Sequence, residues 1–78
     1  MENLTLREFS VCEFFLDGEY EYATRFVAGD QAMLMFERCI KSPMALLGIV
    51  QRVILTDGGD CINMEWEFGK GITYPLKN

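Results

Sequence analysis

The chain has 78 residues, half of them hydrophobic and 24% charged; this suits one domain near the size where a core only just stabilises a fold. Twelve acidic residues against seven basic ones give a net charge of −5 with no run of Lys or Arg, which argues against direct nucleic-acid binding and for a partner with a basic surface. The chain holds no His, which removes His-based acid/base chemistry, Ser-His and Cys-His nucleophile pairs and nearly every zinc constellation.

The first predicted strand runs from Leu6 to Leu16, with Asp17-Gly18 as a turn signal. The second, Glu19 to Val27, alternates Tyr20, Tyr22, Thr24 and Phe26 against Glu19, Glu21, Ala23 and Arg25. The two read as a hairpin with two registers open. A two-residue turn pairs Phe15 with Tyr20, Val11 with Thr24 and Phe9 with Phe26, and drops Glu13 onto that apolar face. A three-residue turn places Cys12, Phe14 and Leu16 there instead. A slip of one residue inverts every side chain, and a bulge near Cys12-Glu13 reconciles both patterns. Glu13 then sits at the bulge or is buried against a basic group such as Arg25.

Gly29-Asp30 opens a helix with Asp30 as its expected N-cap. Met33, Phe36, Cys39 and Ile40 recur at helical spacing, and Glu37 to Lys41 is a favourable i,i+4 pair. Ser42-Pro43 interrupts it. Ser42 as cap and Pro43 at the first helical position start a second short helix through Leu47, which Gly48 ends.

Ile49 to Thr56 is rich in β-branched residues, and Asp57-Gly58-Gly59-Asp60 is a turn signal. After it Ile62, Met64, Trp66 and Phe68 alternate with Cys61, Asn63, Glu65 and Glu67, the period-two pattern of a half-buried strand. A turn closed at Gly58-Gly59 pairs Leu55 with Ile62, Val53 with Met64 and Ile49 with Phe68, sets Arg52 opposite Glu65, and leaves Glu67, opposite Val50, as the freer charge. Gly69-Lys70-Gly71 breaks the strand, and Ile72 to Pro75 leaves as a short extended tail. The expected fold is α+β: a ββαββ chain forming a four-stranded antiparallel sheet under one helical layer, broken at Ser42-Pro43. Trp66, Phe68, Phe36, Met33 and one aromatic set from the first hairpin are its expected core.

Cys12, Cys39 and Cys61 are far apart and form no CxxC; they read as small buried hydrophobes in a reducing cytosol. Met1-Glu2-Asn3-Leu4 shows no basic segment before a long apolar stretch, and no apolar run is long enough for a membrane span. The expectation is a cytoplasmic protein without membrane contact.

No segment reads as a catalytic motif, and no metal or other cofactor is expected. Asp57-Gly58-Gly59-Asp60 lacks the later ligands and closing Glu of a calcium loop. Gly69-Lys70-Gly71 lacks the spacing of a phosphate-cradling loop. The most suggestive group is acidic: Glu65 and Glu67 on the polar strand face, Glu19 and Glu21 on the same side in one register of the first hairpin, and Asp57 and Asp60 at the loop rim. These six are the expected partner-binding residues, and a merely solvated face is the alternative. The helical region carries more apolar surface than one face hides, so Met35, Met44 and Leu47 are candidates for a homodimer interface.

In length, acidity and ββαββ layout the chain resembles small phage-encoded anti-defence inhibitors of the anti-CRISPR type. That resemblance implies a viral inhibitor in the host cytoplasm. Such a protein blocks a surveillance complex or nuclease by occupying its basic nucleic-acid-binding surface. An immunity protein against a basic toxin would use the same acidic face, and a structural or regulatory homodimer would use the Met-rich helix instead.

Overall fold

A computed structural model describes residues 6–75; the Met1–Leu4 segment read for a signal peptide lies outside them. The elements in chain order are β1 (Phe9–Phe15), β2 (Tyr20–Val27), α1 (Gly29–Ile40), α2 (Pro43–Leu46), β3 (Val50–Thr56), β4 (Ile62–Glu67) and β5 (Gly71–Tyr74). The fold is α+β, with one antiparallel sheet of five strands in the order β2-β1-β3-β4-β5. The fifth strand corrects the expected four. Gly69 and Gly71 take φ near +83° and +81°, a backbone that glycine adopts without a Cβ clash. The segment read as a tail therefore turns back, and Ile72 pairs with Trp66.

β1 lies inside the sheet between β2 and β3, and Phe9, Ser10, Val11 and Cys12 are all buried. The three-residue-turn register holds next to the turn, the two-residue register survives only at Val11–Thr24, and Phe9 takes a third register, facing Val27 rather than Phe26. Cys12, Glu13 and Phe14 pair with Tyr22, Glu21 and Tyr20, whereas Val11 pairs with Thr24 and Phe9 with Val27. Each shift inserts an extra residue in β2. At the second one Phe26 adopts φ 55°, and its N–H donates to the Ser10 hydroxyl at 3.2 Å, giving a bulged backbone group a partner.

The β3–β4 register differs from the expected one by two residues. Val53 faces Trp66, Leu55 faces Met64 and Arg52 faces Glu67. The connection is longer than a two-residue turn because Asp57 organises it: the Asp57 N–H donates to the Cys61 carbonyl, and Asp57 Oδ1 accepts from the N–H groups of Gly59 and Cys61. A two-residue slip keeps every side chain on its face, so Arg52 still reaches Glu65, now diagonally.

Helix α1 starts two residues earlier than an Asp30 cap implies. Ala28 is its N-cap without a side-chain bond, and Asp30 lies in the first turn. Its buried stripe is Gly29, Ala32, Phe36 and Cys39, which leaves Met33 45% exposed. At α2, Ser42 caps as expected, its hydroxyl accepting from the Ala45 N–H, with Pro43 opening the helix. Gly48, at φ +81°, ends it. A Cβ there would lie 3.0 Å from the Phe68 ring.

One face of the sheet packs against the helices through Phe9, Val11, Val50, Val53 and Leu55, which meet Ala32, Phe36, Cys39 and Ala45, with Phe15, Met64 and Trp66 at the margin. Val50 replaces Ile49 in this core, because a shift between Phe14 and Phe15 in the β1–β3 pairing inserts a residue in β3. Ile49 and Phe68 are left partly exposed at the sheet end. The molecule is 19 Å through its thinnest direction, about one sheet plus one helix of ~10 Å diameter. Among the described residues, the second sheet face has no helical layer.

Candidate functional site

The uncovered face is built from the residues that alternate with the core set. On β1 these are Cys12 and Phe14, on β2 Tyr20 and Tyr22, and on β3 Arg52, Ile54 and Thr56, with Glu65 and Glu67 continuing it on β4. Tyr20 packs on Phe14, with ring centroids 6.0 Å apart, and meets Tyr22 edge-on at 6.3 Å. Despite these contacts Tyr20 is 63% and Tyr22 41% exposed. Cys12, Phe14, Tyr20, Tyr22, Ile54, Thr56 and Asp60 line an open cavity of about 350 Å³. The Arg25 guanidinium lies 4.3 Å from the Tyr22 centroid and 4.9 Å from that of Phe26; the Arg52 guanidinium lies 5.1 Å from that of Phe14. Such stacking draws the cation to the negative ring face.

The six acidic candidates do not gather on this face. Glu65 lies on it and is bound by Arg52. Glu67 lies on it too, opposite Arg52; its carboxylate is 3.7 Å from the exposed Lys70 Nζ and more exposed than that of Glu65, so it stays the freer charge. Glu21 pairs with Glu13 and so points to the helix-covered side at the sheet edge. Glu19 stays in the turn, its N–H donating to Asp17 Oδ1. Asp57 spends its carboxylate on loop N–H groups, while Asp60 alone of the six lines the cavity. The aromatic residues that form the site read in the sequence as core candidates. Their signal was the hydroxyl of two Tyr placed two apart among glutamates on a strand, a combination with one apolar and one wet end.

Glu13 faces the helix, opposite Val53, with Cys39 as its neighbour rather than Arg25. Burial pushes its carboxyl above the usual carboxylate range; the Cys39 thiol offsets part of the rise and the Glu21 charge adds to it. Burial, with the Glu13 charge second, pushes the Cys39 thiol up to about 12. Burial also raises the Cys12 thiol, which weakens it as a nucleophile.

Of the dimer candidates, Met35 is half-buried against the core, whereas Met44 and Leu47 are exposed, Leu47 by 75%. Phe15, Leu16, Asp17, Met44 and Ile49 line a second, apolar groove at that end of the sheet. Among the described residues no helix is long and apolar enough to cross a membrane. Comparison of the chain with known protein families, curated proteins and solved structures returns no match.

Proposed function

We propose that the protein is a small, non-catalytic module that binds a protein with a basic surface through the open face of its sheet. The carrying observation is the one-sided layering, which leaves Phe14, Tyr20 and Tyr22 facing outward beside Asp60, Glu65 and Glu67. Exposed aromatics rimmed by polar groups are the composition of recognition surfaces, and a charge of −5 favours basic partners. Catalysis has no place in this reading: Glu13 and Cys39, whose titration is shifted, meet between the sheet and α1, and Cys12 is raised away from reactivity. Occupation of the nucleic-acid-binding surface of a defence complex or nuclease, by a viral inhibitor in the host cytoplasm, is the form that the sequence resemblance favours. An immunity protein would meet a toxin with the same face.

The test is affinity capture of host proteins at low and high salt, with two variants in parallel. One carries Tyr22→Ala with Glu65→Lys on the open face; the other carries Met33→Ala on the outer side of α1. Capture of a basic protein that is weakened by salt, lost in the first variant and kept in the second supports the reading. Capture that ignores the open-face changes sinks it. The apolar groove at Leu16, Met44 and Ile49 favours the homodimer as a second reading. Sedimentation would then report a dimer that persists at high salt.

A further inference from the structure

We propose that the open-face cavity receives one cationic side chain, Lys or Arg, of the partner, held between the Phe14, Tyr20 and Tyr22 rings and the Asp60 carboxylate. This rests on the open-face reading and adds the chemistry of its central contact. Cys12 and Ile54, paired across β1 and β3, put an apolar floor among the lining residues. The three rings, Thr56 and Asp60 complete the lining. A long cationic side chain matches that division, with its methylene stem on the floor and its charged head at the rings and carboxylate.

The protein's own arginines show that these rings accept cations, since Arg25 lies over Tyr22 and Arg52 over Phe14. Among the described residues no guanidinium lies over Tyr20, the ring between them. Arg52 is already engaged by Glu65, and Asp60 is the one carboxylate among the lining residues, which include no Lys or Arg. An anion would meet that carboxylate with no Lys or Arg in the lining. A wholly apolar guest would desolvate Asp60 and Thr56 without giving them a partner. The volume of about 350 Å³ falls at the small end of ligand cavities, enough for one side chain with its stem.

The experiment is an amide-resolved NMR titration of the whole chain with N-acetyl-lysine methylamide and with N-acetyl-norleucine methylamide, which keeps the stem and lacks the ammonium. The expected result is saturable shifts at Cys12, Tyr20, Tyr22 and Asp60 with the lysine probe, at least about fivefold tighter than with norleucine. Asp60→Asn and Tyr20→Leu should each weaken it by about threefold to tenfold. Tyr20→Phe should retain it, because the ring face rather than the hydroxyl holds the cation. Equal binding of the two probes, or no saturable shift on the wild-type chain, overturns the proposal. A nona-arginine peptide separates it from the reading beneath it. Shifts confined to Glu65 and Glu67 with a silent cavity overturn the cation site alone, and no shift anywhere on the open face overturns both.

Discussion

Phe14 and Phe15 are neighbours in the chain and end on opposite faces of the same sheet. Phe15 packs against Val50 and its surroundings under the helices, while Phe14 lies in the open with Tyr20 on one side and the Arg52 guanidinium over its ring. The covered face is apolar and closed: Val11, Val50 and Val53 are fully buried and Phe36 is 1% exposed, with Glu13 as its one half-buried carboxylate. The open face mixes rings, guanidinium groups and carboxylates, and its charges pair with one another. Apolar residues thus serve stability on one side and recognition on the other. What separates them is whether a helix lies over them.

The contrast breaks most sharply at Phe36. Phe36→Ala should cost ~3–5 kcal/mol, a large part of the ~5–15 kcal/mol that holds a typical domain, read as a fall in the urea midpoint. Tyr22→Ala should cost no more than about 1 kcal/mol in the same measurement, since the ring is half in water and its Arg25 contact is exposed. Equal losses would mean that the two faces are not distinct in function.

Next in size are two changes of about 1 kcal/mol and opposite sign. Ser42→Ala removes the hydroxyl that accepts from the Ala45 N–H and should destabilise by ~1 kcal/mol, detected as faster amide exchange at Ala45. Glu13→Gln should stabilise at pH 7 by up to ~1 kcal/mol, because the native state disfavours the ionised carboxyl. The native value lies above the ordinary 4.5. The stability contributed by the protonated group is therefore complete below that ordinary value and is lost as pH rises through the native one. A wild-type melting temperature that falls over this window, and a Glu13→Gln profile that stays flat, would locate the effect at Glu13. The smallest effect belongs to the open face: Glu65→Gln should cost about 0.5 kcal/mol and less in high salt, because Arg52 is partly solvated.

Local patterns were legible wherever two neighbouring signals agreed. Ser42-Pro43 placed both the end of α1 and the start of α2, because a cap and a proline act within one turn. The alternation from Ile62 placed Met64 and Trp66 on the core side and Glu65 on the other even though the register was off by two, since a shift of two preserves the face. Legibility failed where one inserted residue changed the parity. The extra residue in β3 exchanged Val50 for Ile49, and the one-residue longer turn register of the first hairpin set Glu21 opposite Glu13, away from Glu65. The acidic site was inferred from that parity and came apart with it.

The sequence by itself determined the α+β class, the chain order of the first four strands and the helices, the net charge, and the lack of histidine chemistry, all of which follow from composition and from periodicity within a few residues. Only the tertiary structure decided that β1 lies between β2 and β3, that a fifth strand closes the far edge, and that Phe14, Tyr20 and Tyr22 face away from the helices. Neighbouring strands, bulges and the covered side are set by contacts between residues distant in the chain. An aromatic residue on a strand carries the same local signal whichever side the helix takes.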